Sequence, residues 1–381
     1  MFWRGGLSGM KYKKLLIISH TPHQIDLNGN LVGWGPTVGE LNYLSNFWEE
    51  MVHVGCLEAF ENNPSYLPYS NNNIKVDLIP SFGGKTFISK LSVFYNAPSI
   101  VFKILRNIPG STHIQVRVPM GIGIYVLPLF CLIPRKFTLW VKYANNWGYV
   151  SSSLGYRLQR WFLQRNFLRC KVTINGFWPG QAKHCISFEN PCISSDQLER
   201  GGRISKNFDG KLKMVFAGRM DDAKGIDLLL DVLETLPKDK IDEWIFIGDG
   251  PLKSDLVESA QVNARFFGFV SQDKVKEVLM GAHVLVLPSK SEGFPKIVAE
   301  AWNYGVIPVV SPVGSLPHYL ENGINGFLME SINSESLYNS LMELFSSNSL
   351  DLEAISKQGN QLASKFTFEN YLSHLKQEVF V

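Results

Sequence analysis

The sequence predicts an α/β protein with two doubly wound parallel-sheet domains. The chain has 381 residues, of which 45% are apolar. This length exceeds that of a domain with one hydrophobic core, so two domains of roughly 150 to 200 residues are expected. Short runs rich in β-branched residues alternate with helical patterns in two successive series, which is typical of parallel sheets. A polar interval at residues 194–211 separates the two series and is the predicted linker.

The first series contains six strand candidates with helical patterns between most of them. The strands are predicted at residues 14–19, 52–59, 74–80, 113–119, 137–143 and 171–175, and the helices around residues 38–50, 87–107, 121–133 and 152–168. The second series predicts strands at residues 212–218, 243–248, 264–269, 283–288 and 306–310. Ligands of such sheets bind beyond the carboxyl ends of the strands.

These patterns set the expected domain bounds. We expect an N-terminal domain over residues 11–195 and a C-terminal domain over residues 205–365. Residues 366–381 are expected to form a helix that packs back on the N-terminal domain. Two doubly wound sheets that face each other would form a cleft.

Composition excludes several classes of protein. The chain has 37 basic and 34 acidic residues, and its net charge of +3 gives no global case for nucleic-acid binding. Its five cysteines show no metal-ligand spacing and are expected to be reduced thiols of a cytoplasmic protein. The N-terminus lacks the apolar stretch of a signal peptide, and Met10 is a second candidate for the start of the native chain. The longest apolar run, residues 121–133, is shorter than the roughly 20 residues that cross a bilayer.

The segment SEGFPKIVAE, residues 291–300, follows directly on a predicted strand and carries two glutamates. Pro295 suits the first turn of a helix, whose free N–H groups and dipole would hold a diphosphate. Eight helical residues span about 12 Å, which matches the separation of the two sugars of a nucleotide-sugar. Glu292 is therefore expected to accept hydrogen bonds from the transferred sugar, and Glu300 from the ribose. The alternative is that Glu300 lies on a solvated helix face and Glu292 stabilises a helix N-terminus.

A second loop, AGRMDDAKG at residues 217–225, also lies between a predicted strand and a helix. Its two cations, Arg219 and Lys224, flank the acidic pair Asp221 and Asp222. Two fixed cations beside a helix N-terminus would stabilise the charge that grows on a leaving nucleoside diphosphate. The alternative is a surface cluster of salt bridges. A third loop, IGDGP at residues 247–251, is another predicted strand-to-helix turn, and its glycines would allow a close approach of the backbone to a neighbouring group.

These three loops, in this order, resemble those of the family 4 glycosyltransferases of the GT-B fold, also described as glycosyl transferases group 1. The resemblance is carried by GRMDDAKG, IGDGP, SEGFPKIVAEA and the segment GVIPVVSPVGSLPHYLENGINGFL at residues 305–328. It implies the GT-B architecture, in which two Rossmann-like domains face each other across a cleft. The C-terminal domain would bind the donor and the N-terminal domain the acceptor.

The resemblance also implies roles for single residues. Arg219 and Lys224 would bind the diphosphate, Glu292 the transferred sugar and Glu300 the ribose, and the first three would be the catalytic residues. The remaining donor contacts would be Gly218 beside the diphosphate, Gly268 and Phe269 near the nucleobase, and the backbone of Gly293, Phe294 and Pro295 against the sugar and phosphates.

The N-terminal half resembles the family only in its layout. Many members carry a histidine after the strand equivalent to residues 137–143, where this chain has Asn145, our candidate for a substitute hydrogen-bonding role. Arg117 is expected either to contact an anionic acceptor or to form a structural ion pair.

The first strand is expected to lead into a long glycine-containing loop. In this loop Gly33, Gly35 and Pro36 would allow the backbone to approach the donor phosphates. His20 and His23 would bind acceptor or act as a base, or would be solvated or locally hydrogen-bonded.

Residues 151–171 predict an amphipathic helix. Leu154, Leu158, Trp161 and Phe162 stand at helical spacing among four arginines. Such a helix either covers a sheet with its apolar stripe toward the core or lies on an anionic membrane surface.

The leading hypothesis is a retaining hexosyltransferase that moves a sugar from a UDP- or GDP-linked donor to a hydroxyl of a glycan or lipid-linked acceptor. By resemblance, the departing phosphate oxygen would take the acceptor proton in a front-face displacement. No cofactor and no metal is expected, because Arg219, Lys224 and a helix N-terminus supply the positive potential. The family's range suggests bacterial surface polysaccharide or lipopolysaccharide assembly, in the cytoplasm or peripherally on the inner face of the cytoplasmic membrane.

Two other hypotheses stay open at this point. A sugar-nucleotide epimerase of similar build would convert the donor sugar. A catalytically silent nucleotide-sugar-binding protein would neither transfer nor convert it. A dinucleotide-dependent oxidoreductase is excluded, because the segment after the first strand lacks the G-x-G-x-x-G pattern.

Overall fold

The computed structural model describes residues 11–61, 63–84, 87–148, 153–259 and 263–380. In these residues, strands and helices alternate in two series, as the sequence predicts. The strands of the first series are β1 (Tyr12–Ile25), β2 (Leu31–Trp34), β3 (Trp48–Leu57), β4 (Tyr66–Pro68), β5 (Ile74–Pro80), β6 (His113–Val118), β7 (Thr138–Tyr143), β8 (Lys171–Asn175) and β9 (Cys185–Phe188). Its helices are α1 (Gly35–Leu44), α2 (Phe87–Tyr95), α3 (Ala97–Asn107), α4 (Gly123–Leu132), α5 (Leu154–Gln164) and α6 (Ser195–Gly201).

The second series forms another sheet with its own helices. Its strands are β10 (Leu212–Ala217), β11 (Ile241–Ile247), β12 (Ala264–Phe266), β13 (Val284–Leu287), β14 (Ile307–Val310) and β15 (Phe327–Leu328). Its helices are α7 (Ile226–Leu233), α8 (Lys253–Ser259), α9 (Gln272–Gly281), α10 (Lys296–Asn303), α11 (Ser334–Ser346), α12 (Ser349–Leu362) and α13 (Phe368–His374), followed by a π-helical turn at Leu375–Val379.

The two sheets have doubly wound strand orders. In the first, the order is β4-β2-β1-β6-β7-β8-β9, and β3 pairs with β1 and β5. In the second, the order is β12-β11-β10-β13-β14-β15, with every pair parallel. The central strands are buried on both faces, as the runs VLVL of β13 and IPVV of β14 show, because helices cover parallel sheets on both sides.

The chain divides into two compact units. The first unit holds the described residues of Met1–Glu61, Tyr66–Lys142 and Ser153–Val172, and the second holds those of Asn62–Ser65, Tyr143–Ser152 and Thr173–Val381. Within the second unit, α13 lies beside the segment that follows β9. The Phe368 N–H donates to the Ile193 carbonyl at 3.0 Å, and the rings of Phe188 and Tyr371 meet edge to face at 5.7 Å.

The expected glycine-containing loop after the first strand is instead a β-hairpin. β1 continues through Ile25, and residues His23 to Ile25 pair antiparallel with β2. The turn closes on Asp26, whose Oδ1 accepts from the N–H groups of Asn28 at 2.9 Å and Asn30 at 2.8 Å, with Gly29 at φ +81°. This stretch has the composition of a loop, and its pairing with β2 and β3 makes it a strand.

The predicted helix at residues 87–107 is two helices. α2 ends at Tyr95, and α3 starts at Ala97 with Pro98 in its first turn. Proline lacks the N–H that would continue the hydrogen bonds of α2, so a second helix starts there.

Candidate functional site

The second sheet has its topological switch point at β10. From β10 the chain goes to β11 on one side, whereas the later strand β13 pairs with β10 on the other. In open α/β sheets, ligands bind beyond the carboxyl ends of the strands at such a point. The loops that follow β10 and β13, residues 218–225 and 288–295, overlap two of the three segments that the sequence singled out.

The loop after β10 contacts the loop after β13 through a glycine. Gly225 has φ +72°, and a Cβ there would lie 1.9 Å from the Pro288 carbonyl oxygen. The Lys290 N–H donates to the Ala223 carbonyl at 2.9 Å. The two loops therefore form one continuous rim, and a larger residue at position 225 would separate them.

Asp221 organises the two cations of the loop after β10. Its Oδ1 accepts from the backbone N–H of Lys224 at 3.2 Å, and its Oδ2 lies 2.8 Å from Nε of Arg219. Arg219 is otherwise exposed, with 67% of its side chain accessible. The salt bridge that the sequence left as an alternative is thus present, and it fixes the guanidinium at the carboxyl edge of the sheet.

Lys224 and Glu292 meet directly. The ammonium of Lys224 forms an ion pair and hydrogen bond with Oε1 of Glu292, and Ser289 Oγ lies 3.2 Å from the same oxygen. The two side chains are 29% and 15% exposed. This pairing joins the residue expected to bind diphosphate to the residue expected to bind the transferred sugar.

The backbone at Glu292 and Gly293 packs against Gly314 and Ser315. Gly314 has φ +57°, and a Cβ there would lie 2.2 Å from the Gly293 carbonyl oxygen and 2.3 Å from that of Glu292. The N–H of Ser315 donates to the Gly293 carbonyl at 2.9 Å, and its Oγ lies 3.2 Å from that oxygen. Phe294 is buried and stacks on Phe366 at 4.6 Å.

Pro295 lies one position earlier than the sequence predicts. It is the N-cap of α10, at φ −74° and ψ 109°, and the helix begins at Lys296. Its carbonyl accepts the first helical bond, from the N–H of Val298 at 3.0 Å. The first free N–H groups of α10 still follow the Gly-Phe-Pro turn, because the N-cap precedes them by one residue.

Glu300 lies on the same helix and is half-buried. Burial raises the pKa of its carboxyl group, against the opposing influence of Lys296 and Lys276. It also contributes to raising the pKa of the Cys192 thiol, after burial. Glu300 is therefore not on a freely solvated helix face.

Three glycines bring the neighbouring strand ends together. A Cβ at Gly248, φ +123°, would lie 1.9 Å from the Gly218 carbonyl oxygen, and the Gly248 N–H donates to the Gly268 carbonyl at 2.8 Å. Phe269 follows Gly268 and is 44% exposed. The exposed ring of Phe269, next to Gly268, is available for stacking.

Asn145 falls in the second unit and is exposed. Its Oδ1 accepts from the N–H of Asn146 at 2.7 Å. A Cβ at Gly293 would lie 3.1 Å from the Asn145 Cα. The backbone of Asn145 is thus close to the Gly-Phe-Pro turn, while its side-chain oxygen bonds locally.

His23, in the first unit, is fully buried on β1 rather than exposed in a loop. Its ring fills the space left by two glycines, since a Cβ would approach it to 2.8 Å at Gly33 and 2.4 Å at Gly55. Burial lowers the pKa of His23, although hydrogen bonds with the Cys56 and Thr21 backbone oppose this. Glycine at position 33 therefore makes room for the His23 ring, a role that the sequence did not reveal.

His23 belongs to a chain of buried hydrogen bonds. Its Nδ1 lies 3.3 Å from the Cys56 carbonyl, its Nε2 lies 2.7 Å from the Tyr69 hydroxyl, and that hydroxyl lies 2.6 Å from Nδ1 of His53. Nε2 of His53 lies 2.7 Å from Ser19 Oγ. A carbonyl only accepts, so in neutral His23 the proton is on Nδ1 and the Tyr69 hydroxyl donates to Nε2. Burial, with the nearby His23 and Arg117, lowers the pKa of His53 well below its usual value.

Arg117 forms the structural ion pair that was one of its two expected roles. Its Nη2 lies 3.1 Å from Oε2 of the fully buried Glu40, and Lys142 Nζ lies 2.8 Å from the same oxygen. His20 lies close enough for Arg117 to lower its pKa further, after burial. Gly35 begins α1, the helix that carries Glu40.

Sequence reasoning missed Gly225, Ser289, Gly314 and Ser315 as parts of the site. A serine directly after a strand and a glycine in a turn are weak signals alone, and their roles depend on contacts across loops. In the described part of the chain, no group of three or more His, Cys, Asp or Glu residues could hold a metal ion, and no helix could cross a membrane.

Residues 202–361 match the family model described as Glycosyl transferases group 1. An uncharacterized 41.2 kDa protein in the cps region of Klebsiella pneumoniae is 29% identical over 177 residues, 45% of this chain and 48% of that protein. The sulfoquinovosyl transferase SQD2 of Arabidopsis thaliana is 27% identical over 195 residues, 50% of this chain and 37% of that protein. The chain thus spans about half or less of the length of these curated relatives.

The crystal structure of HepE from Anabaena in complex with UDP and glucose is similar with a TM-score of 0.66 and 14% identity. The similarity covers 96% of this chain and 98% of that one. At this identity it shows the fold, which is that of the GT-B glycosyltransferases. The family match itself covers residues 202–361, less than half of the 381-residue chain, and these residues are similar to the glycosyl transferases group 1.

Proposed function

We propose that the protein is a retaining glycosyltransferase that moves a sugar from a nucleoside-diphosphate donor to a hydroxyl group. The observation that carries this proposal is the Lys224–Glu292 pair at the switch point of the second sheet. A cation and a carboxylate thus lie just before the N-terminus of α10. In this proposal, the diphosphate of the donor would bind beside Lys224 and its transferred sugar beside Glu292.

The rim would stabilise the leaving group. As the glycosidic bond breaks, negative charge grows on the diphosphate, and Arg219, Lys224 and the first N–H groups of α10 would face it. Asp221 holds the Arg219 guanidinium in place at 2.8 Å, so little reorganisation is needed during the reaction. These groups supply positive potential without a metal ion, and we propose a metal-independent reaction on this ground.

The carboxylates would orient the donor. Glu292 would accept hydrogen bonds from the transferred sugar and Glu300 from the ribose, while Phe269 would stack on the base. The departing phosphate oxygen would take the proton of the acceptor hydroxyl, so the acceptor would be added on the face that the diphosphate leaves. This front-face route retains the anomeric configuration.

The donor and acceptor classes follow from relatives and remain part of the proposal. HepE was crystallised with UDP and glucose, which favours a UDP-linked hexose here. The relative in a cps region favours a glycan or lipid-linked acceptor in surface polysaccharide assembly, and we propose a cytoplasmic site of action. In the first unit, Arg117 already pairs with Glu40, and an acceptor contact from it would be additional.

Two measurements test the proposal. Calorimetric titration of UDP, GDP and their sugar conjugates without metal, repeated with Glu300→Ala, should show one base bound and weaker binding in the variant. NMR of the product should then show transfer with retained anomeric configuration. Conversion of the donor sugar without transfer would indicate an epimerase, binding without turnover would indicate a silent binding protein, and absence of nucleotide binding would reject the site.

A further inference from the structure

Acidic residues are absent from one long stretch of the sequence. Between Asp77 and Glu189 the chain has no Asp or Glu and has 14 Lys or Arg residues. The remaining 23 basic residues share the rest of the chain with all 34 acidic ones. The net charge of +3 therefore conceals a strongly basic segment, residues 78–188, and an acidic remainder.

The apolar stripe of α5, within this segment, faces outward. Leu154, Leu158 and Trp161 are 79%, 53% and 47% exposed. The helix docks through Leu163 and Gln159 instead, whose side-chain amide bonds both the N–H and the carbonyl of Met120, at 3.3 Å and 2.9 Å. Of the two alternatives for this helix, the one in which the apolar stripe covers the sheet does not hold for Leu154, Leu158 and Trp161, because Gln159 and Leu163 occupy its buried side. The fourth residue of the stripe, Phe162, is half-buried.

A second group of exposed apolar side chains comes from α2 and α3. Leu91, Phe94 and Tyr95 of α2 are 48%, 59% and 87% exposed. Phe102 and Leu105 of α3 are 64% and 41% exposed. Large apolar side chains that gather on the surface of a folded unit mark a binding surface.

The α2 and α5 groups flank the start of the same helix, α4. A Cβ at Gly121, just before α4, would lie 3.2 Å from Val93 of α2. A Cβ at Gly155 in α5 would lie 3.7 Å from Ile124 in the first turn of α4. We call the exposed apolar residues of these two helices the outer face, which comprises Leu91, Phe94, Tyr95, Leu154, Leu158 and Trp161.

We propose that the outer face docks the protein on a bilayer surface that carries anionic headgroups. Exposed Arg157 and Arg165 stand beside Leu158 and Trp161 on α5, and arginine with tryptophan and leucine is typical of helices that lie in the membrane interface. The acid-free segment attracts anionic lipids, and the apolar side chains enter the boundary between headgroups and acyl chains.

A membrane surface fits the outer face better than a nucleic acid or a second copy of this chain does. A nucleic acid would satisfy the basic charge but would leave the apolar side chains unmatched along its phosphate backbone. A second copy would bring two equally basic surfaces together, which repel each other. The docking does not depend on the proposed reaction, since none of its residues lies in the donor site.

Vesicle co-sedimentation tests this inference. The full chain should bind vesicles of equal parts phosphatidylcholine and phosphatidylglycerol, release them at high salt, and bind vesicles of phosphatidylcholine alone weakly. The variant Leu154→Ser/Leu158→Ser/Trp161→Ser should abolish sedimentation and keep the wild-type circular dichroism, because all three side chains are exposed. The matched control is Leu350→Ser, an exposed leucine on α12 in the second unit.

Charge variants separate the two contributions. Arg157→Gln/Arg165→Gln should weaken binding to the anionic vesicles about 25-fold, since each basic residue near such a surface contributes about fivefold. Lys357→Gln, on the exposed side of α12, should leave the affinity unchanged. Brominated lipid should quench part of the tryptophan fluorescence in the wild type and less in Trp161→Phe.

The other outcomes overturn the proposal. These are failure to bind anionic vesicles, binding that the α5 variants do not change, and DNA binding of equal strength that depends on the arginines alone. A dimer in solution that the serine variant dissociates would instead show an interface between copies. If no nucleotide binds but vesicles do, the proposed reaction fails and the docking surface stands.

Discussion

Gly314→Ala should damage the proposed donor site although it replaces none of the residues that we propose to bind the donor. The new Cβ would lie 2.2 Å from the Gly293 carbonyl oxygen and 2.3 Å from that of Glu292. Ordinary contact requires more than 3 Å, so the Gly-Phe-Pro turn must retreat by about 1 Å. A displacement of this size at a positioned group costs about 100-fold in rate, and we expect kcat/KM to fall by that factor.

A matched variant removes the confounding effect of backbone strain. Gly314 has φ +57°, and alanine in this left-handed region costs about 1 kcal/mol of stability wherever it stands. Gly323 has φ +71°, yet a Cβ there would meet nothing within 4 Å. Gly323→Ala should therefore lose similar stability and keep its activity.

The assay measures transfer kinetics and thermal unfolding for both variants. We expect the melting temperature to fall in both variants, at least as far in Gly314→Ala as in Gly323→Ala, while only Gly314→Ala loses kcat/KM. Equal activity in the two variants would show that the turn tolerates the displacement, and the inference that it positions the donor would be wrong. Equal loss in both would assign the effect to backbone strain.

Three other predictions concern single side chains. Lys224→Ala should reduce kcat/KM by about 100-fold, or about 3 kcal/mol, and near-normal turnover would contradict its role. Its control is Lys290→Ala, which should change kcat/KM little, because Lys290 pairs with half-buried Asp227. Glu292→Gln should reduce turnover more than the calorimetric affinity for UDP, and an equal reduction of both would reject sugar binding by this carboxylate. Burial lowers the pKa of His113 to about 4. Below about pH 6.5 the unfolded chain therefore binds a proton at this histidine, whereas the folded chain does not. The free energy of unfolding decreases as the pH is lowered from 6.5 to 4. The loss from this residue is about 3 kcal/mol at pH 4, and chemical denaturation should show a flatter pH dependence for His113→Gln.

The donor rim was predictable because its signals are local. A strand, a glycine-containing loop and a helix follow one another within residues 212–233 and again within 284–303. Parallel strands bring the ends of such units to one edge of a sheet, so Lys224 and Glu292 could be expected close together without any knowledge of their contact. The ion pair between them is the detail that only the structure supplies.

The hairpin of the first unit was not predictable in this way. Residues 19–25, SHTPHQI, contain a proline and two histidines, and their composition favours a loop. The strand exists because β2 pairs with one of its edges, and because β3 resumes pairing after a register shift between Ile18 and Pro22. The pairing with β3 is recorded in no local pattern, whereas the Asn28-Gly29 turn before β2 is a local hairpin signal that the sequence analysis did not use.

Two glycines, Gly314 and Gly33, show that the same residue type can serve a candidate site in one unit and the fold in the other. At Gly314, the missing Cβ makes room for the backbone that carries Glu292, and substitution would displace the site. At Gly33, it makes room for the ring of buried His23, and substitution would disturb a hydrogen-bonded core. The sequence singled out Gly33 and not Gly314, because only the identity of the approaching atoms decides whether a close approach concerns a ligand or the fold.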